Sequence, residues 1–291
     1  MIYYHGNKLI SSLEPFMKNP IITFEEPLNE CMRICLRLEH LLDQVTHSIN
    51  DTSKYASRTT LASILEALNV LDRPDLKSKL AKALTQHANA LHQLKQKPHV
   101  DPHKLEKILD DLETFSKDLY CPQDRTAQLL RGNSFLSNIR QHMANPGGAC
   151  AFSTPAYHLW LQRPHQLRQE QLQKWFSEFD QIRKIIDLLL KLTRASTTPR
   201  RLVGFKGYYQ QTLDPKLNYH LICVHLPQDE KIYPEISVGK HRLHIRFMVL
   251  DTENRSLQSN EDITFELSCC LPLGSTAKNE PNKSTEDLKE G

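Results

Sequence analysis

Apolar residues recur every three or four positions along the first two-thirds of the chain, and every second position after that. Leu28, Cys31, Cys35, Leu38, Leu42, Val45 and Ile49 trace one helical stripe. Pro27 fits its first turn, and Glu25, Glu26 and Glu30 suit the positive end of its dipole. Arg33, Arg37 and His40 fall on the opposite face. A second helix is predicted over Ser53–Leu71, with Leu61, Ile64, Leu65, Leu68 and Leu71 inward. Pro74 opens a third, marked by Leu76, Leu80, Leu84, Leu91 and Leu94, and residues 95–100 break it. Asp101-Pro102 reads as an N-cap and N1 proline ahead of a helix that buries Leu105, Ile108, Leu109, Leu112, Phe115 and Leu119. Shorter helices are predicted at about 123–131 and 134–143, and another from Thr154-Pro155. One long helix is predicted from Pro164 to about Thr193. It is the most apolar of the chain and suits the centre of a bundle or a dimer seam.

At Ser196-Thr197-Thr198-Pro199 the period changes from 3.6 to 2. Strand-like runs follow at Arg201–Gln210, Leu217–Leu226, Lys231–Val238, Lys240–Leu250 and Ile263–Cys269, with Gly204, Gly207, Pro227 and Pro234 at turns, bulges or edges. Helices first and strands afterwards predict an α+β fold, a helical bundle-like domain followed by a mainly antiparallel β-domain. The expected divisions are a loosely patterned extension over 1–23, a helical domain over 24–196, a β-domain over 197–270 and a disordered polar tail over 271–291. Regular patterning begins only after Met17, which makes Met17 a second candidate start.

Lys240–Leu250 is the run with the sharpest two-sidedness. Leu243, Ile245, Phe247 and Val249 alternate with Lys240, Arg242, His244 and Arg246, so one face is core and the other is cationic. Residues 197–270 contain nine Lys/Arg and nine Asp/Glu, so the basic face is a local concentration within a neutral region. A hairpin with Ile263–Cys269 would set Arg246 opposite Glu266, worth roughly 0.2–1 kcal/mol, and would leave Lys240, Arg242 and His244 without a partner. Arg200, Arg201 and Lys206 could extend the patch, with Tyr208 and Tyr209 as aromatic edges. Such a surface suits a short acidic-hydrophobic peptide, held by charge-assisted hydrogen bonds. Single-stranded nucleic acid is the alternative ligand, since cations beside aromatics also bind it.

Composition narrows this further. The 291 residues carry 37 basic and 34 acidic side chains, a formal net charge of +3, which is quiet for a protein of bulk nucleic acid. The seven cysteines are an odd number with no C-x-x-C pair, which suits a reducing cytosol. Cys31 and Cys35 could form half a zinc site, but no matching pair stands at ligand spacing, so core cysteines are expected and no metal or cofactor. Asn145-Pro146-Gly147-Gly148 lacks the Gly-Lys-Ser/Thr end of a phosphate loop and reads as a tight turn. Asp110 and Asp111 are adjacent on a helix and point apart. No catalytic residue is assigned. No run is long and apolar enough to span a membrane, so membrane insertion is not expected.

Several ordered stretches together resemble the ZapD family, FtsZ-associated cell-division factors of proteobacteria. They are Phe24-Glu25-Glu26-Pro27-Leu28-Asn29-Glu30 with Met32-Arg33 and Leu36-Arg37-Leu38-Glu39; Asn145-Pro146-Gly147-Gly148; His158-Leu159-Trp160-Leu161; and Gly207-Tyr208-Tyr209-Gln210. Ile245-Arg246-Phe247-Met248 through Leu250-Asp251-Thr252-Glu253-Asn254, then Phe265-Glu266-Leu267-Ser268-Cys269-Cys270, complete the set over about residues 23–270. The resemblance implies a cytoplasmic homodimer at the midcell division site, with a helical and a β-domain and no catalytic activity. It also implies binding of the FtsZ C-terminal peptide and cross-linking of FtsZ protofilaments into bundles. Arg37 and His158 on helices, with Lys240, Arg242 and Arg246 on the strand, are the contacts it suggests. His244, Arg201 and Lys206 join them from the strand argument. Ser134 stands near where the resemblance would place a further arginine, and residues 1–16 and those after Cys270 have no counterpart in it.

Overall fold

The computed structural model describes residues 20–94, 101–120, 127–145, 148–228 and 231–272. The expectations for residues 1–16, for the break at 95–100 and for 123–126 lie outside them, as does all of the expected tail except residues 271 and 272. The chain enters as a strand, β1 (Ile21–Pro27), where a loose stretch and then a helix start were predicted. Pro27 ends that strand opposite Leu221, and the following helix α1 (Glu30–Ser48) starts instead at Asn29, whose side chain accepts from the Met32 N–H at 2.9 Å. Pro27 and Asn29 are both sound start signals; the pairing of β1 with β-strand residues about 200 positions away decides between them.

The helices that follow are α2 (Lys54–Leu71), α3 (Leu76–Leu94), α4 (Pro102–Tyr120), α5 (Gln128–Arg131), α6 (Ser134–Met143), α7 (Pro155–Gln162), α8 (His165–Phe176) and α9 (Asp180–Arg194). Ser53 caps α2 through the Ala56 N–H, and Asp101 caps α4 through the His103 N–H. The single helix predicted past Pro164 is two, divided by a 3₁₀ turn at Ser177–Phe179. The tighter turn rotates the second half, so that α8 packs on α2 while α9 packs on α1. Leu38, Leu65, Leu84, Phe179 and Leu189 are fully buried in the one core these helices share.

The β-domain is a sandwich of two antiparallel four-stranded sheets. One has the order β1-β4-β8-β2, from β1, β4 (Leu221–Pro227), β8 (Ile263–Cys270) and β2 (Arg200–Gly204). The other has the order β3-β6-β5, from β3 (Tyr208–Thr212), β6 (Arg242–Leu250) and β5 (Ile232–Val238), with the short β7 (Ser256–Gln258) also paired to β6. The predicted run Arg201–Gln210 is thus split between the sheets. Lys206 and Gly207 make that crossing with φ of +49° and +69°. A Cβ at Gly207 would lie 2.2 Å from the Ser259 carbonyl oxygen, so only glycine fits there. The predicted hairpin of β6 with β8 does not form. Glu266 lies opposite Arg201 and His225, while Arg246 lies opposite Tyr208 and Glu235. The two strands meet across the core, where the rings of Phe247 and Phe265 lie 4.8 Å apart.

The helices cover part of the outer face of the first sheet. Leu36 of α1 packs on Leu221, Cys223 and Cys270, whose thiols lie 4.0 Å apart and unbonded as a disulfide. Arg194 at the end of α9 bonds both Glu25 of β1 and Glu39 of α1 at 2.7–2.8 Å. Burial works against the guanidinium charge, but the bonds to Glu39 and Glu25 outweigh it and raise the Arg194 pKa. Beside this seam His87 of α3 and His220 are buried edge to face, with ring centroids 6.3 Å apart. Burial, with His220 adding to it, pushes the His87 pKa down to about 4, and burial lowers that of His220 as well.

Candidate partner-binding face

The outer face of the second sheet is open. Alternation along β6 buries Leu243, Ile245 and Phe247 and turns Arg242, His244 and Arg246 outward, as the period-2 pattern predicts. Register then fixes their neighbours. Arg246 lies between Tyr208 and Glu235, His244 between Gln210 and Ser237, and Arg242 beside Thr212. Arg246 donates to Glu235 at 2.9 Å in a pair that is largely exposed, at 59% and 44%. The Tyr208 hydroxyl and His244 Nδ1 are 2.6 Å apart.

Among the described residues, Arg242, Lys240 and Lys206 enter no ion pair. Lys240 sits in the turn from β5 to β6, beyond Arg242, and Lys206 sits two residues before Tyr208, at the Arg246 end. The cations therefore follow β6 from the turn before it to Arg246, with Glu235 as the one carboxylate paired into the row among the described residues, while Met248 and Leu250 continue the same face as apolar residues. An open depression of about 360 Å³, lined by Tyr208, Glu235, Ile236, Ser237, His244 and Arg246, lies on this face. It can take one side chain of a ligand whose other groups are anionic.

The other suggested contacts lie elsewhere. Arg201 is on the outer face of the first sheet, in a row with Glu266, His225 and Thr23. Arg37 is exposed on α1 beside Leu36, which packs on that same sheet. His158 is exposed on α7, which packs on α2 and α6. Glu235, Ile236 and Ser237 went unnoticed in the sequence. Only strand register puts them beside β6, and register leaves no mark in a period-2 pattern. Among the described residues, no group of three or more histidine, cysteine or acidic side chains is placed to hold a metal, and no helix is long and apolar enough to cross a membrane.

A comparison with protein families matches residues 36–246 to the ZapD model, described as a cell division protein. Curated relatives extend the match. "Cell division protein ZapD" of Coxiella burnetii (strain RSA 331 / Henzerling II) is 47% identical over 251 residues, covering 86% of this chain and 97% of that protein. The proteins of the same name from Nitrosomonas eutropha and Methylococcus capsulatus are 36% and 32% identical, covering 86% and 88% of this chain and 99% and 100% of their own length.

Proposed function

From the premise that this chain belongs to the ZapD family of cell-division proteins, we propose that it acts at the midcell division site by binding the C-terminal peptide of FtsZ and, as a homodimer, bundling FtsZ protofilaments. The observation that carries the reading is the outer face of the second sheet, where Lys240, Arg242 and Arg246 outnumber Glu235 around an open depression. An acidic peptide gains charge-assisted hydrogen bonds there and loses little, since these cations are already exposed. Valence supplies the bundling. A monomer with one peptide site only decorates a filament, whereas a two-fold dimer presents two sites and tethers two filaments. The proposed action is cytoplasmic, and it is non-enzymatic and independent of cofactors because tethering requires no bond to be made or broken.

Charge reversal at Arg242→Glu together with Arg246→Glu tests this. Co-sedimentation with FtsZ polymers should fall by roughly tenfold or more, while the melting temperature stays near that of the parent. Undiminished co-sedimentation rejects this face as the site. Adding salt should weaken parent binding too, since exposed charges are screened over about 8 Å at physiological ionic strength.

A further inference from the structure

β6 settles which way the backbone of β5 points. The Phe247 N–H donates to Gly207 at 2.8 Å and its carbonyl accepts from Ser259 at 2.9 Å, both on the side away from β5. In an antiparallel ladder the N–H and C=O of one residue point the same way, and that direction alternates along the strand. Arg246 and His244 therefore face β5, and their partners Glu235 and Ser237 face back to them. The bond from Gly239 N–H to the Arg242 carbonyl, 2.9 Å, is in the same phase. Pro234, Ile236 and Val238 then turn their backbone groups outward, to the free edge of the sheet. Pro234 agrees, since it stands where a missing N–H costs no ladder bond. Among the described residues, nothing meets the N–H or C=O of Ile236 or Val238.

An edge with open donor–acceptor pairs is a template for strand addition. Pro234 confines the template to the residues after it, which suits a short segment and disfavours a long edge-to-edge pairing. Ser237 has the shortest side chain among those lining the depression, so a ligand side chain can cross from the edge over Ser237 towards His244. Arg242 and Arg246 flank His244, each about 7 Å along the strand, and Lys240 stands just past Val238. We infer that the β5 edge at Ile236–Val238 receives an acidic segment as an added, extended strand, with one of its side chains in the depression. This rests on the reading above that the second sheet is the binding face.

The probe is a fluorescently labelled peptide of the FtsZ C terminus. Ile236→Pro removes an outward N–H without breaking a bond between β5 and β6, as Pro234 already does. It should weaken peptide binding about tenfold in a protein that keeps its fold, with some loss of melting temperature because the Ile236 side chain packs on the sandwich core. In parallel, peptides N-methylated at successive backbone nitrogens are titrated against the parent protein, and affinity should fall at alternating positions. If Arg242→Glu with Arg246→Glu weakens binding but no N-methyl group does, side chains alone hold the peptide: the inference fails and the reading of the face survives. If neither weakens it, both fail. If Ile236→Pro unfolds the protein, the N-methyl series decides alone. If that variant stays folded and splits a dimer in the absence of peptide, the edge is a subunit seam and the inference is overturned.

Discussion

The two sheets of the sandwich share one core and part company on their outer faces. On the first, the helices close over Leu221, Cys223 and Cys270, and Arg194 is held by two carboxylates from two different elements. On the second, Arg246 has one exposed carboxylate, and Arg242 and Lys240 enter no ion pair among the described residues. Charge is matched where surface is withdrawn from water, because an unmatched charge there costs several kcal/mol, and it is left unmatched where water can solvate it. The same residue type thus serves cohesion on one face and, on the proposed function, recognition on the other. Substituting on each face measures that division.

The largest effect belongs to the seam. Arg194→Ala strands Glu25 and Glu39, which are 17% and 26% exposed, and should destabilise the fold by about 3 kcal/mol, the low end for breaking a buried pair because the guanidinium is itself about a third exposed. Arg242→Ala, on the open face, should shift stability by no more than about 0.5 kcal/mol. Urea titrations of the two variants check this, and equal losses would erase the contrast.

Acidification probes the seam by a second route. His87 has its folded pKa pushed down to about 4 against an ordinary 6.5, so the unfolded chain takes up the proton first. Its contribution is complete above about pH 6.5 and is lost as pH falls towards 4. Between pH 7 and 5 that amounts to about 2 kcal/mol from His87, with the lowered pKa of His220 acting in the same direction. Melting temperatures should fall over this range in the parent and fall less in His87→Leu. A parent curve flat from pH 7 to 5 would mean that the buried imidazoles open to water at no cost.

Much of this contrast was legible in the sequence, and the remainder was hidden for a definite reason. The alternation of Leu243, Ile245 and Phe247 with Arg242, His244 and Arg246 identifies β6 and its two faces, because period depends on one strand alone. The partner of β6 depends on two. Phe247 and Phe265 mark strands that belong together, but the apolar pattern is the same whether they lie side by side in a hairpin or face to face across a sandwich, and it is the second that occurs. Glu25 was misplaced for a similar reason. Beside Pro27 it reads as the acidic start of a helix, and its true partner, Arg194, is 169 residues away. Long-range pairing also explains why Arg201, which looked like an extension of the basic strand, lies across the sandwich opposite Glu266. Ser177, which introduces the 3₁₀ turn between α8 and α9, is unremarked in a run whose apolar spacing continues on both sides of it.

The smallest effect is the most discriminating, because on the open face stability and affinity should move in opposite directions. Glu235 pairs with Arg246 much as Glu25 pairs with Arg194, but in the open, where such pairs contribute about 0.2–1 kcal/mol. Removing the carboxylate with Glu235→Gln should therefore cost the fold at most that amount. For an acidic peptide the same substitution removes the one negative side chain of the depression and releases a guanidinium, so affinity should rise by about two- to fivefold. The comparison substitution is Glu25→Gln, which should lower stability and leave peptide affinity unchanged. Fluorescence anisotropy with the FtsZ C-terminal peptide reads both. If Glu235→Gln weakens binding instead, the carboxylate holds Arg246 in the geometry that the ligand needs, and the open face is preorganised by the same device as the seam.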